Sequence, residues 1–495
     1  MKRFASSILV GVLFALTLTP ANPSLKAASG KTIRIGLSKE IKITSSLQIS
    51  NFNDFNLINA VFRGLLSKDQ KTGEYINDLA EMIELTNNDT EIKVRLKKGI
   101  QFHNGEEVTA EDVAFTYTEI VKPNYRHLYY GFLGVGKKLK NVEAIDRYNL
   151  IIRFEEPYSN WKFVLETGII PKKYFLEVGQ EKFNEKPMGC GHFRFVEYKN
   201  DGSIVIKPIN KNSGFDTLSF HYIPDETTRL AMLETGTLDL LFAVSPAGKK
   251  RLSEQNRFKI KTSPGGPSHF GIAFMSPALK DKNLRKAIDH AINRQDMINR
   301  VYLGEGYPLY HGTTKIELGH NPGFQTEFNP DKAHDLLKKS SYKPGTVLRL
   351  VKSNLFIHGN LAGIAIQYYL RNIGIPVVIN DVESQKLFGY AIGKKKEAGD
   401  LLMYSIVREH DPTFSFFLFS GKGAAFNSNP QRENQVLLDD LIQKQSKETN
   451  EEKREAIVRQ IHQLIRDDPY NISLFGLDMI YAMKKDIDYN WTLNS

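Results

Sequence analysis

Cysteine is almost missing from this chain: Cys190 is the only one in 495 residues. No intrachain disulfide can form, and no zinc or iron–sulfur site can be assembled from paired thiolates. The signatures of common chemistries are missing as well. There is no Gly-x-Ser-x-Gly elbow, no His-Glu-x-x-His helix and no Walker loop. The 12 histidines are scattered, so no catalytic residue, no metal ligand and no cofactor is assigned. Beyond residue 18 no apolar run approaches the roughly 20 residues a membrane-spanning helix needs. The formal charge is +10, but Lys2, Arg3 and Lys26 fall in the first 28 residues, which hold no acid. The remainder is only mildly basic for its length, and no basic stripe alternates with aromatics, so nucleic acid is not an expected partner.

What is present starts at the N-terminus. Lys2 and Arg3 precede an apolar run from Phe4 to Leu18, and small residues near Ala21 and Ala27–Ala28 offer cleavage sites. That three-part order reads as a secretory signal peptide over residues 1–28. No cysteine follows the run, so a lipid anchor is not expected there, and a periplasm-like compartment fits a protein held by its core alone. Hydrophobic residues at 41% and charged residues at 25% match an ordinary soluble globular protein. The length allows two or three lobes.

Along the chain, strand-like and helix-like periodicity alternate. Residues 32–37 read as a strand, followed by a helix with Phe55, Ile58, Phe62 and Leu65 on one face behind a cap at Asp54. Residues 91–96 read as a strand, and Thr109 can cap the helix carrying Val113, Tyr117 and Ile120. A helix over 226–235 stops at Gly236 before a buried strand over 238–244. Asp281 heads one long helix with Leu284, Ile288, Ala291 and Ile298 inward, and Asn329–Pro330 heads another. Residues 361–373 are helical up to Gly374, with a strand at 375–379, and Thr449 with Glu452 forms a capping box for a helix that Asp468–Pro469 ends. This grammar predicts an α/β fold.

Several stretches then stand in a recognisable order. Val61-Phe-Arg-Gly-Leu-Leu66 precedes Lys71-Thr-Gly73 and Asp78-Leu-Ala80. The run Val94 to Gly105, ending Ile100-Gln-Phe-His-Asn-Gly105, precedes Val108-Thr-Ala-Glu-Asp-Val113. Met188-Gly-Cys-Gly-His-Phe193, Leu233-Glu-Thr-Gly-Thr-Leu-Asp239, Arg285-Lys-Ala287 with Ala291-Ile-Asn-Arg294, and Asn329 to Leu337 follow. Each has a plain structural reading, since Gly105, Gly189, Gly191 and Gly236 suit turns or close backbone approach, and His103 suits a turn or core. Taken together and in order, they resemble the peptide-binding family of ABC-importer receptors, family 5 of the extracytoplasmic solute-binding proteins, over nearly the whole chain.

The resemblance implies a bilobed, type II binding-protein fold with a hinge between lobes and an added domain. It divides the chain into lobe I (29–60, 188–267 and 472–495), the extra domain (61–187) and the other lobe (268–471). It implies capture of a peptide-like or other small solute by lobe closure, an inner-membrane permease as partner, a monomer and no chemistry on the ligand. A ligand sensor for a membrane receptor is the alternative, and a secreted hydrolase a weaker one. In peptide-binding members a strand before an Asp/Glu-Pro pair lends backbone groups to the ligand. An Asp four residues before that Pro meets the ligand's amino terminus. The matching strand here holds Tyr404, Ser405, Ile406 and Val407, and Arg408 occupies the amine-binding position. Within about 4 Å, a guanidinium would repel an amine by roughly 1–4 kcal/mol at effective dielectrics between 80 and 20. Its planar fork suits a carboxylate or phosphate instead, which points to an anionic ligand. Pairing of Arg408 with Glu409, Asp411 or another carboxylate, away from any ligand, is the competing reading. Ser46, Leu47 and Tyr129 are the positions where the resemblance places further ligand contacts, and Phe414, Phe416, Phe417 and Phe419 could line a pocket or fill a core.

Overall fold

The computed structural model describes residues 32–487 except 44, 50–51, 70–72, 126, 128–129, 131–133, 212, 311–313, 315–316, 354–358, 384–385, 388, 391–395, 408–410, 414, 417–433 and 470. Its strands in chain order are β1 (Thr32–Leu37), β2 (Leu66–Lys68), β3 (Tyr75–Asn77), β4 (Ala80–Thr86), β5 (Glu91–Leu96), β6 (Leu139–Ala144), β7 (Asn149–Phe154), β8 (Phe193–Tyr198), β9 (Ile204–Pro208), β10 (Thr217–Tyr222), β11 (Leu240–Leu241), β12 (Phe258–Phe274), β13 (Tyr307–Pro308), β14 (Leu348–Ser353), β15 (Val377–Val382), β16 (Leu401–Val407) and β17 (Asn471–Lys484). One large sheet runs β15-β14-β16-β12-β17-β11-β1-β10-β9-β8, with β13 beside β17. A four-stranded sheet, β4-β5-β7-β6, and the β2–β3 pair stand apart from it and fit the extra domain of this fold.

The long sheet is two lobes sharing two strands. β12 and β17 pair antiparallel from Phe258–Lys484 in one lobe to Ala273–Asn471 in the other. Their register slips between Ser263 and Ser268, where β12 carries Pro264-Gly-Gly-Pro267. An interrupted ladder through Gly and Pro is a natural place for two rigid halves to bend. Each half is packed on both faces by the two-residue period of its strands. In β17, Tyr481 and Met483 face one core while Ile480 and Ala482 face another. In β16, Leu401 and Met403 join one cluster and Leu402 and Tyr404 the opposite one. The first lobe shares its main core with the extra domain, since Ile33 and Ile35 pack in one cluster with Ile92 and Val94.

Many local signals are realised where the sequence put them, including β1 and β5 in full. Thr109 and Asp112 close a capping box on the helix Ala110–Ile120. Gly236 takes φ +81° behind the helix Glu226–Glu234, a conformation that costs glycine little. Four expectations are corrected. The first helix spans Phe52–Val61, so Asp54 lies inside its first turn and Phe62 and Leu65 lie past its end, though both are buried. Over 238–244 only Leu240–Leu241 pairs as strand, because Ala243 turns to φ +54°. The helix behind Asp281 stops at Ala291, Ile292 is extended, and Asn293 caps a second helix, Arg294–Val301, by accepting from Asp296 N at 2.9 Å. Asn has more to gain at an N-cap than in a helix interior. Likewise Asn450, not Thr449, caps the helix Glu451–Asp467, accepting from Lys453 N at 3.0 Å, while the Thr449 hydroxyl bonds Asp89.

The Gly-Cys-Gly turn serves close approach. Gly191 N donates to Val61 O at 2.8 Å, and His103 Nε2 lies 3.0 Å from Gly191 O. A Cβ on Gly191 would stand 2.4 Å from Ala60 O. That atom is backbone and no rotamer can relieve it. Gly191→Ala is therefore expected to destabilise by about 1–3 kcal/mol, read as a lower urea midpoint, whereas Gly202→Ala on an open turn should cost less. Cys190 between these glycines is buried, and desolvation pushes its thiol up to about 12, which keeps it protonated and unreactive.

Candidate functional site

The strand directions locate a cleft. β17 runs from the second lobe into the first, where β11 pairs antiparallel to it, with Leu240 opposite Met483. β1 is parallel to β11 and so points its C-terminal end at the second lobe. β16 is antiparallel to β12, with Phe274 opposite Leu401 and Ser268 opposite Val407. It therefore points its C-terminal end back at the crossing strands. In open α/β sheets, ligands bind in the crevice beyond such strand ends. Here the two lobes aim theirs at the same crossing.

β16 brings Tyr404, Ser405, Ile406 and Val407 to that place. On one side its backbone pairs with β12 throughout; on the other it pairs with β14 only at Leu401 and Leu402. From 403 to 407 no strand covers that second side among the described residues. A strand edge that no other strand covers can take an extended ligand as a further strand. Tyr404 is 1% exposed, its ring edge-on to His269 at 5.4 Å between centroids and its hydroxyl 3.5 Å from His269 Nε2. What Tyr404 can offer a ligand is its backbone, because its side chain is core. Ser405 is half-buried. Arg408, the residue that argues for an anion, lies outside the described residues, as does Tyr129.

Two further charged groups stand near these strand ends, Lys39, which no motif marks, and Asp411, whose partner no motif shows. Lys39 stands just past the end of β1, on the route to the second lobe. It makes no hydrogen bond or ion pair among the described residues and is open to solvent, yet the surrounding protein lowers its pKa by desolvation. Accessible but crowded is how a side chain on a cleft wall behaves. The signal in the sequence is its place at the C-terminal end of the first strand. The second feature is Asp411, whose carboxylate is gripped by Arg454 at 2.6 and 2.9 Å. Burial pushes its pKa up, and the Arg454 charge and hydrogen bonds overcome this to hold it below the ordinary value. Asp411 is thus committed to Arg454 as well as to Thr413 N at 2.8 Å.

Ser46 and Leu47 lie elsewhere, in the wall between the first lobe and the extra domain. Leu47 is fully buried, and Ser46 Oγ donates to Gly168 O at 2.6 Å. Ser46 borders a small cavity with Asn59, His127, Tyr130 and Thr167, to which β16 contributes no residue. There Tyr130 OH meets Thr167 Oγ1 at 2.6 Å, and burial holds His127 near pKa 3, hence neutral. Ser46 thus lines a space that β16 does not border, and Leu47 is part of the core. Of the phenylalanines, Phe416 is buried in the second lobe's core beside Tyr404, and Phe414, Phe417 and Phe419 lie outside the described residues. No cluster of His, Cys, Asp and Glu suited to a metal occurs among the described residues. None of the described helices is long and apolar enough to cross a membrane.

Residues 74–427 match the family model of bacterial extracellular solute-binding proteins, family 5. Among curated relatives, the oligopeptide-binding protein AppA of Bacillus subtilis is 26% identical over 372 residues, covering 69% of this chain and 67% of AppA. A dipeptide-binding protein of Pseudomonas aeruginosa is 24% identical over 447 residues, 82% of each chain. Among solved structures, the ABC transporter substrate-binding protein CtaP of Listeria monocytogenes superposes with a TM-score of 0.82 at 21% identity, covering 92% of this chain and 94% of CtaP. The relatives are named as binding proteins, and the last likeness confirms the bilobed fold.

Proposed function

The chain belongs to the bacterial extracellular solute-binding proteins, family 5, and from that premise we propose that it is the substrate-binding component of an ABC importer. It works outside the cytoplasm after loss of its first 28 or so residues, as a monomer without a lipid anchor. It closes its lobes on a short peptide-like or other small solute that carries an anionic group, and delivers it unchanged to a membrane permease. The observation that carries this reading is the side of β16 at 403–407 that no strand covers among the described residues, aimed at the strand pair where the lobes join. An extended ligand can pair with that edge while the opposite lobe closes on it, and contacts made only in the closed state favour closure. Lys39, just past the end of β1, supplies positive charge from the first lobe, and Arg408 follows β16 in the sequence; both support the anionic group.

Mass spectrometry of solute released from protein purified from its native compartment identifies the ligand, and a consistently cationic or uncharged solute would overturn the anionic reading. For the anion so identified, Arg408→Ala is expected to weaken binding by about 1.5–3 kcal/mol, the weight of a charge-assisted hydrogen bond. Unchanged affinity in calorimetry would remove Arg408 from the site. Arg408→Asp should at the same time gain affinity for peptides with free amino termini over their acetylated forms.

A further inference from the structure

A set of contacts away from the strand ends joins the extra domain to the second lobe. Ser159 N donates to Ser446 O at 3.0 Å, Lys447 pairs with Glu156 at 2.5 Å, and Lys162 lies 3.8 Å from Glu451. The Thr449 hydroxyl bonds Asp89 on the turn after β4. At the centre is Arg454, 7% exposed, on the helix Glu451–Asp467. Its guanidinium holds Asp411 at both oxygens, Thr413 Oγ1 at 2.9 Å and Gln445 Oε1 at 3.0 Å, all within the second lobe. It also reaches Asn160 Oδ1 at 3.3 Å, on the loop after β7 in the extra domain.

The extra domain shares one core with the first lobe, and the helix bearing Arg454 packs in the second lobe's core with Leu402 and Tyr404. The lobes bend at β12 and β17, so opening must part Asn160 from Arg454 while leaving Arg454 on Asp411. Asp411 follows the end of β16 by four residues. We propose that Arg454 is a positioning residue that senses closure: Asn160 docks on it only when the lobes are shut, and its grip on Asp411 carries that docking to the β16 end where ligand binds. The extra domain thereby adds a closing contact that the ligand never touches. This rests on the receptor reading, and it is tested so that the two can fail separately.

Trp161, half-buried beside Asn160, reports the contact once Trp491, the only other tryptophan, is replaced by Phe. Acrylamide quenching of Trp161 and the radius of gyration from solution scattering are measured with and without a random tripeptide mixture, in the parent protein, Asn160→Ala and the surface control Glu451→Gln. We expect Asn160→Ala to shift the open-to-closed ratio about fivefold toward open, the weight of one hydrogen bond. Glu451→Gln should change little, since exposed ion pairs contribute little. The thermal midpoint of Asn160→Ala should stay near that of the parent, which a merely structural contact would lower. If Asn160→Ala misfolds, Arg454→Lys, which keeps the charge and loses the fork, should open the protein in the same direction. Identical quenching and radius for parent and variant under both conditions would overturn the proposal. A parent that ignores tripeptides while Asn160→Ala still opens it would remove the peptide ligand and uphold the clasp.

Discussion

Replacing Asp239 with alanine is expected to lower the stability of the folded protein by about 3–5 kcal/mol, the cost of taking one partner from a buried ion pair. The Asp239 side chain is fully buried just before β11. Its Oδ2 accepts from the backbone N and the Nε of Arg34, both at 2.9 Å, and its Oδ1 accepts from Arg34 at 3.0 Å and Lys484 at 2.5 Å. One carboxylate therefore fastens β1 and β17 to β11 at the middle of the first lobe. Without it, the Arg34 backbone N–H loses this acceptor and the two partly exposed cations are left sharing Gly236 O. Asp239→Asn keeps the shape and one acceptor and should cost less, about 1.5–3 kcal/mol. Burial pushes the Asp239 carboxyl up, but the hydrogen bonds from Arg34 and Lys484 outweigh it and hold its pKa below the ordinary value. A carboxyl depressed in the folded state contributes stability above its unfolded pKa of about 3.9 and loses it as pH falls through the folded value. Urea midpoints measured from pH 7 down to 3 should show the gap between wild type and Asp239→Ala narrowing at the acid end, and a gap independent of pH would show that the charge is not what Asp239 contributes.

Asp239 was visible in the sequence as the last residue of a Leu-Glu-Thr-Gly-Thr-Leu-Asp step, but its partners were not, because Arg34 and Lys484 lie 205 and 245 positions away. That contrast describes the whole chain. Signals that act within a few residues were legible: the alternation of β1, the Thr109–Asp112 box, the stop at Gly236. Where local pattern and structure part, a distant group intervenes. Thr449 has the right chemistry to cap its helix, yet its hydroxyl goes to Asp89 in another domain and Asn450 takes the cap. The helix behind Asp281 has a continuous apolar stripe, yet it breaks at Ile292 so that Arg294 can reach Leu309 O at 2.9 Å and Ser473 O at 2.8 Å. The site was legible to the extent that it is a strand: β16 could be placed by its Asp-Pro ending, and Lys39 could have been placed by β1. Its depth could not, since burial of Tyr404, Ser46 and Leu47 follows from packing between segments far apart in sequence.

The two arginines of the helix motif make the same point with a second large effect. Arg285 is 2% exposed and donates to three carbonyls, Pro469 O at 2.5 Å and Leu279 O and Lys280 O at 2.6 Å, and to the Asp468 carboxylate. It thus fastens the turn before its own helix to the segment that leads into β17, one of the two strands that cross between the lobes. Arg285→Met fills the space but takes the guanidinium from a largely buried carboxylate and three carbonyls, and should cost about 3–5 kcal/mol. Arg285→Lys keeps the charge, yet a single ammonium cannot reach donors' positions spread over a planar fork. It should recover only part of the loss, and full recovery in the urea midpoint would mean that charge alone matters. Because Arg285 grips the entrance to β17 rather than the strand ends, the Lys variant, where it folds, should bind the native ligand as tightly as wild type. A weakened affinity in a folded Arg285→Lys protein would instead tie the β17 entrance to closure, and would place this motif in the hinge as well as in the core.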